Sequence, residues 1–167
     1  VTVHIATDRR DRPATVQMAI LSPSLDTVFI DNLRTKIDGK NDHTTIDVPF
    51  SIDKPELWGT DAGEQPLYTV VTKIATGVTT DSVAVKTGFR SIVIGDDHLL
   101  HINSHPRRIR GVALYGDRAG VGSAILPYQA AEDMALIEEM GANLVRMVTY
   151  PAATAYLDEC DRRGIGV

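Results

Sequence analysis

The sequence predicts a mainly β protein with an α/β tail: a two-sheet sandwich of immunoglobulin type, then about two parallel βα units. Three observations carry this. The first 90 or so residues alternate apolar and polar side chains in short runs parted by turn signals. From about Ile109 the apolar spacing changes to a helical one. Strand-like and helix-like runs then alternate to the last residue, the pattern of a parallel sheet covered by helices.

In the first half, Val1–Ala6 alternates as a half-buried strand, and Asp8 to Pro13 forms a charged turn. Ala14–Leu21 alternates again until Ser22-Pro23-Ser24 breaks it. A third strand begins at Val28-Phe29-Ile30, and Asp38-Gly39-Lys40-Asn41-Asp42 is a turn cluster. Thr45–Phe50 is a fourth strand. Its Pro49 cannot donate to a ladder and so marks an edge or a strand end. Leu67–Ile74 and Asp81–Thr87 form a last pair around a turn at Gly77. Six or seven strands without a helical pattern make a sandwich, but the paired cysteines of antibody domains are missing.

In the second half, Ile109–Leu114 is a short apolar strand and Gly116–Gly122 a glycine-rich loop. Pro127 suits a helix start, where its missing N–H costs nothing. Ala130, Met134, Ile137 and Met140 share one helical face, and Gly141 ends the helix. Asn143–Val148 is the next strand, Ala152–Arg163 the next helix, and Gly164 its stop. Ile165-Gly166-Val167 starts a third strand, expected either frayed or paired with another molecule. A parallel strand needs neighbours on both edges. The domains read as 1–94 and 95–167.

Composition excludes several function classes. Apolar residues make up 43% of 167, so the chain is globular. A net charge of −5 argues against non-specific nucleic-acid binding. Arg107, Arg108 and Arg110 read as a solvated turn with one arginine pointing inward. No apolar run approaches the roughly 20 residues of a membrane span, so no membrane partner is expected. A lone cysteine, Cys160, excludes an internal disulfide framework and fits a reducing bacterial cytoplasm without fixing the compartment. It reads as a core thiol. His101 and His105 are four apart, but Pro106 argues against a helix and hence against a metal pair. The glycine-rich loop lacks the Gly-Lys-Ser/Thr of a phosphate cradle. No cofactor or metal is called for. Trp58 reads as a buried sandwich anchor more than a sugar platform.

Several motifs occur in an order that resembles glycoside hydrolase family 2, which includes β-galactosidases and β-glucuronidases. They begin with Pro55-Glu56-Leu57-Trp58, Gln65-Pro66-Leu67-Tyr68 and Gly88-Phe89-Arg90. Ile102-Asn103, Pro106 and Ile109-Arg110-Gly111-Val112 follow. Asp133, Ile137, Met140-Gly141-Ala142-Asn143 and Val145-Arg146 come next. Tyr150-Pro151, Leu157-Asp158, Cys160-Asp161 and Gly164 complete the series. The resemblance implies an immunoglobulin-like sandwich followed by the start of a (β/α)8 barrel that stops unfinished at Val167. It implies a parent hydrolysing terminal β-linked sugars with retention, by two glutamates about 5 Å apart on later barrel strands.

No residue of this chain matches either glutamate. Glu132, Glu138, Glu139 and Glu159 read as solvated helix faces, so the chain alone is expected to be inactive. The resemblance places Arg146, Tyr115, Thr149 and Tyr150 at the substrate-binding periphery. Arg146 matches the family arginine of the second strand, either anchoring a network beneath the sugar or forming a structural ion pair. Tyr115 and Thr149 stand where the family commonly has histidines, which puts galactose specificity in doubt. Tyr115 either stacks on a sugar ring or packs. The partner implied is a carbohydrate substrate of the parent, with self-association through the unfinished barrel edge as a further expectation. The rival reading is a non-catalytic scaffold or carbohydrate-binding sandwich.

Overall fold

The computed structural model describes residues 1–6, 11–41, 43–61, 63–77 and 79–167. Residues 8–10 of the expected charged turn, and Asp42 of the turn cluster, lie outside the described residues. The chain forms two compact units: Val1–Pro55 with Tyr68–Thr87, and Glu56–Leu67 with Gly88–Val167.

The first unit is the sandwich. Its strands are β1 (Thr2–Ala6), β2 (Arg12–Leu21), β3 (Thr27–Ile37), β4 (His43–Asp47), β5 (Tyr68–Thr76) and β6 (Thr80–Thr87). One sheet runs β3-β2-β5-β6 and the other pairs β1 with β4, all antiparallel. The period of two in β2 sends Ala14, Val16, Met18 and Ile20 into the core, each 5% exposed or less. Ile5 and Ile46 answer from the smaller sheet. Register puts Thr72 and Val83 on the face of Met18. Val83 is nevertheless 56% exposed because β6 is an edge strand. Pro49 falls beyond the end of β4, as a residue without an N–H must if it is not to break a ladder.

The second unit opens with a small antiparallel sheet that the sequence reading missed: β7 (Ile92–Ile94), β8 (Leu100–Ile102) and β9 (His105–Pro106). Its strands are two or three residues long, too short to show a period. Then come β10 (Gly111–Leu114), α1 (Pro127–Glu139), β11 (Leu144–Met147) and α2 (Thr154–Arg163). β10 and β11 pair in parallel, with Ala113 opposite Arg146. Pro127 is the first helical residue of α1, and Gly141, at φ +78°, ends it in the left-handed region. Gly164 does the same for α2 at φ +70°.

Ala130, Met134, Ile137, Val145, Tyr156, Cys160 and Ile165 make the core of this unit. Met140 departs from the expected stripe: it caps α1 and is 67% exposed. The third strand start is not frayed at Gly166. Gly166 bridges Leu144 in parallel, accepting from the Val145 N–H at 2.8 Å and donating to Asn143 O at 2.9 Å. Trp58 is buried, 4% exposed, yet it belongs to this second unit and not to the sandwich. A residue between two sandwich strands in sequence gave no local sign of that.

Candidate functional site

In a parallel βα sheet, the strand C-terminal ends and the loops that follow them form the usual site. Here these ends frame a cleft of about 240 Å³ lined by Leu114, Tyr115, Met147, Tyr150, Pro151 and Tyr156, among others. Tyr115 directly follows β10 and is 59% exposed; Tyr150 follows β11 and is 47% exposed. The Tyr150 hydroxyl donates to the carbonyl of Tyr115, clipping the two post-strand loops together. Two tyrosines that lie 35 positions apart in sequence thus share one rim.

Thr149 and Arg146 do not line that cleft. Thr149 is exposed, and its hydroxyl donates to Val148 O at 2.9 Å. Its φ of +68° lies in the left-handed region. A β-branched side chain is rarely found there, and such strain gathers at functional sites. Arg146 alternates with the buried Val145, so it leaves β11 on the face opposite the helices. On that face it stands beside Ala113 and is exposed.

Tyr156, which sequence reasoning missed, forms part of the cleft wall and is 1% exposed. Its hydroxyl donates to Asp133 on α1 at 2.7 Å. Burial first, and then that carboxylate, push its phenol well above the ordinary tyrosine range. It therefore stays protonated and cannot act as a base at neutral pH. The signal available was its spacing: Tyr156 and Cys160 are four apart on one helical face.

Glu132 and Glu139 are exposed as expected, while Glu138 and Glu159 are half-buried. Glu132 pairs with Arg118 at 2.7 Å, and Glu138 pairs with Arg163. Glu159 takes Arg162 and Arg163, both at 2.8 Å, with 19% of its side chain exposed. Their i, i+3 and i, i+4 arrangement explains the latter pairs. These are helix-locking contacts away from the cleft.

Arg107 is the inward arginine of its cluster, holding Asp61 with two bonds of 2.6 Å. His101 sits on β8 and meets Asp97 at 2.9 Å. Among the described residues, no three His, Cys, Asp or Glu side chains are grouped to hold a metal. Among the described residues, no helix is long and apolar enough to cross a membrane. Strands β10 and β11 carry no carboxylate, and the residues lining the cleft are mostly apolar and aromatic, with the Ser123 hydroxyl among them.

Fold and cleft together define a β-sandwich protein with the opening βα units of a parallel sheet, and a candidate site at the strand C-terminal ends. The profile of glycosyl hydrolases family 2 matches residues 1–90, and that of the family's TIM barrel domain matches residues 93–167. The chain belongs to glycosyl hydrolase family 2.

A β-glucuronidase of Bacteroides fragilis is 37% identical over 120 residues, which is 71% of this chain and 17% of that protein. A β-galactosidase of Thermoanaerobacter pseudethanolicus is 34% identical over 118 residues, 70% of this chain and 16% of that protein. The crystal structure of a family 2 member from Bacteroides cellulosilyticus superposes with a TM-score of 0.89 at 20% identity, covering 98% of this chain and 22% of that one. The chain thus spans between about a sixth and about a fifth of the length of these relatives.

Proposed function

We propose that this chain is the sandwich and first βα units of a retaining glycosidase that hydrolyses terminal β-linked sugars. The parent would resemble the β-galactosidases and β-glucuronidases to which the chain is similar. The domains divide near residue 94 under this reading. The observation that carries it is the pairing of Tyr115 and Tyr150 across the ends of two parallel strands. Exposed tyrosine faces there can pack the apolar face of a pyranose.

Arg146, on the face of β11 away from the helices, is the residue to anchor carboxylates beneath the sugar. Thr149, strained beside Tyr150, sets the shape of the rim. Neither β10 nor β11 supplies a carboxylate, so both catalytic glutamates come from the rest of the parent.

The purified 167-residue chain, given nitrophenyl β-galactoside and β-glucuronide, is expected to release no nitrophenol above a no-enzyme control. The parent is expected to cleave one of the two. Turnover by the short chain would overturn the assignment of its catalytic groups. An inactive parent that still bound galactose or glucuronate oligosaccharides would favour a binding module instead.

A further inference from the structure

The last turn of an α-helix leaves carbonyls without intrahelical partners. In α2, Cys160 O receives the N–H groups of Gly164 and Ile165. The next two carbonyls are satisfied from far upstream. Asp161 O accepts the indole N–H of Trp58 at 2.6 Å, across 103 positions of sequence. Arg162 O accepts the backbone N–H of Gln65 at 2.9 Å.

Both donors lie in the segment Glu56–Leu67, which belongs to the second unit although its ends run on into the first. The segment is held in shape for the task. Trp58 N donates to Phe89 O at 2.9 Å, and the Asn103 side chain donates to Trp58 O at 2.8 Å. The Arg90 guanidinium lies 4.7 Å from the Trp58 ring centroid. The Gln65 amide closes the loop, accepting from Gly59 N at 2.9 Å and donating to Asp61 O at 2.8 Å.

Two glycines make the approach feasible. A Cβ on Gly88 would lie 2.5 Å from Trp58 Cβ. One on Gly164 would lie 2.5 Å from Gly59 O and 2.9 Å from Asp61 O. Gly164 therefore answers two demands: the left-handed end of α2 and the passage of the segment over it.

We infer that the end of α2 is a docking surface whose occupant is the segment Glu56–Leu67, and that this segment is a latch over the last turn. The turn opens when the segment releases Asp161 and Arg162. The stability of a barrel helix is thereby set by the connection between two sandwich strands, β4 and β5.

Cys160 reports on that opening. Its thiol is 1% exposed and burial pushes its pKa up to about 12, so it reacts only when the turn opens. Alkylation of Cys160 would be timed in the whole 167-residue chain, in Trp58→Phe and in Gln65→Ala. Trp58→Phe keeps an aromatic ring and loses the N–H. It is expected to speed alkylation about fivefold to tenfold, the effect of one lost hydrogen bond to a carbonyl. Gln65→Ala keeps the N–H to Arg162 O but loses the side-chain bonds to Gly59 N and Asp61 O that hold the loop in shape, so it should act in the same direction and less strongly.

Amide exchange at Met134 and Val145, in the same core, should stay within about twofold of the parent chain if the opening is local. Alkylation within twofold of wild type in both variants would overturn the latch. So would equal acceleration at Met134 and Val145, which would make Trp58 an ordinary core residue. If Trp58→Phe does not fold, Gln65→Pro, which removes the N–H that Arg162 O accepts, decides the matter by the same two readings.

Discussion

Tyr156 on α2 donates its phenol hydrogen to the carboxylate of Asp133 on α1 over 2.7 Å, joining the two helices at the edge of their shared core. The hydroxyl is the polar end of a side chain that is otherwise enclosed, at 1% exposure. A buried tyrosine needs such a partner, and a charged acceptor makes the bond stronger than a neutral one. Asp133 has Arg118 Nη1 at 4.0 Å as well, and 24% of its side chain is exposed, so it is not stranded when the hydroxyl goes.

Tyr156→Phe is therefore expected to destabilise the second unit by about 1–2 kcal/mol, toward the low end for a bond to a charged group. The chain has a single tryptophan, Trp58, and it lies in this unit. Its fluorescence during urea unfolding reads the effect directly. An unchanged midpoint would show that the hydroxyl gains nothing over its contact with water.

Gly141 and Gly164 both end helices with positive φ, at +78° and +70°, but their surroundings differ. A Cβ at Gly141 meets nothing within 4 Å, so Gly141→Ala should cost only the left-handed penalty of about 1 kcal/mol. At Gly164 the same atom meets backbone at 2.5 Å, which cannot swing aside like a side-chain tip. Gly164→Ala should cost about 3 kcal/mol, adding overpacking to the same penalty. The two midpoints, measured by tryptophan fluorescence, should be clearly separated; equal losses would refute the close approach.

Acid should weaken α2 through Glu159. The hydrogen bond from Arg162 holds its carboxyl below the ordinary value of 4.5, against desolvation and with help from Arg163. A carboxylate depressed in the folded state stabilises above its unfolded pKa and loses that contribution as pH falls through the folded one. Glu159→Gln should thus be less stable than the native chain at neutral pH. The gap should close as pH falls below 4.5 and through the lowered folded-state value. A gap that stays constant over that range would place the ion pairs outside the stability of the unit.

By itself the sequence determined what local spacing can encode. The period of two in Ala14–Leu21, the helical face of Ala130, Met134 and Ile137, Pro127 at a helix start and the glycines at two helix ends are all local rules, and the structure follows them. The same patterns showed sandwich followed by βα units, and the motifs showed the family. The site was legible only in part. Tyr115 and Tyr150 were singled out and do meet, while Thr149 and Arg146 stand apart from their cleft and Tyr156 passed unnoticed. Tertiary structure alone decided which surfaces close on one another. Trp58 reads from sequence as a sandwich residue because of its place in the Leu57-Trp58 motif. Its indole N–H is satisfied by a carbonyl 103 positions away, and no period or propensity carries information over that distance. Local geometry is written residue by residue; which helix end a segment caps depends on where the folded chain brings it.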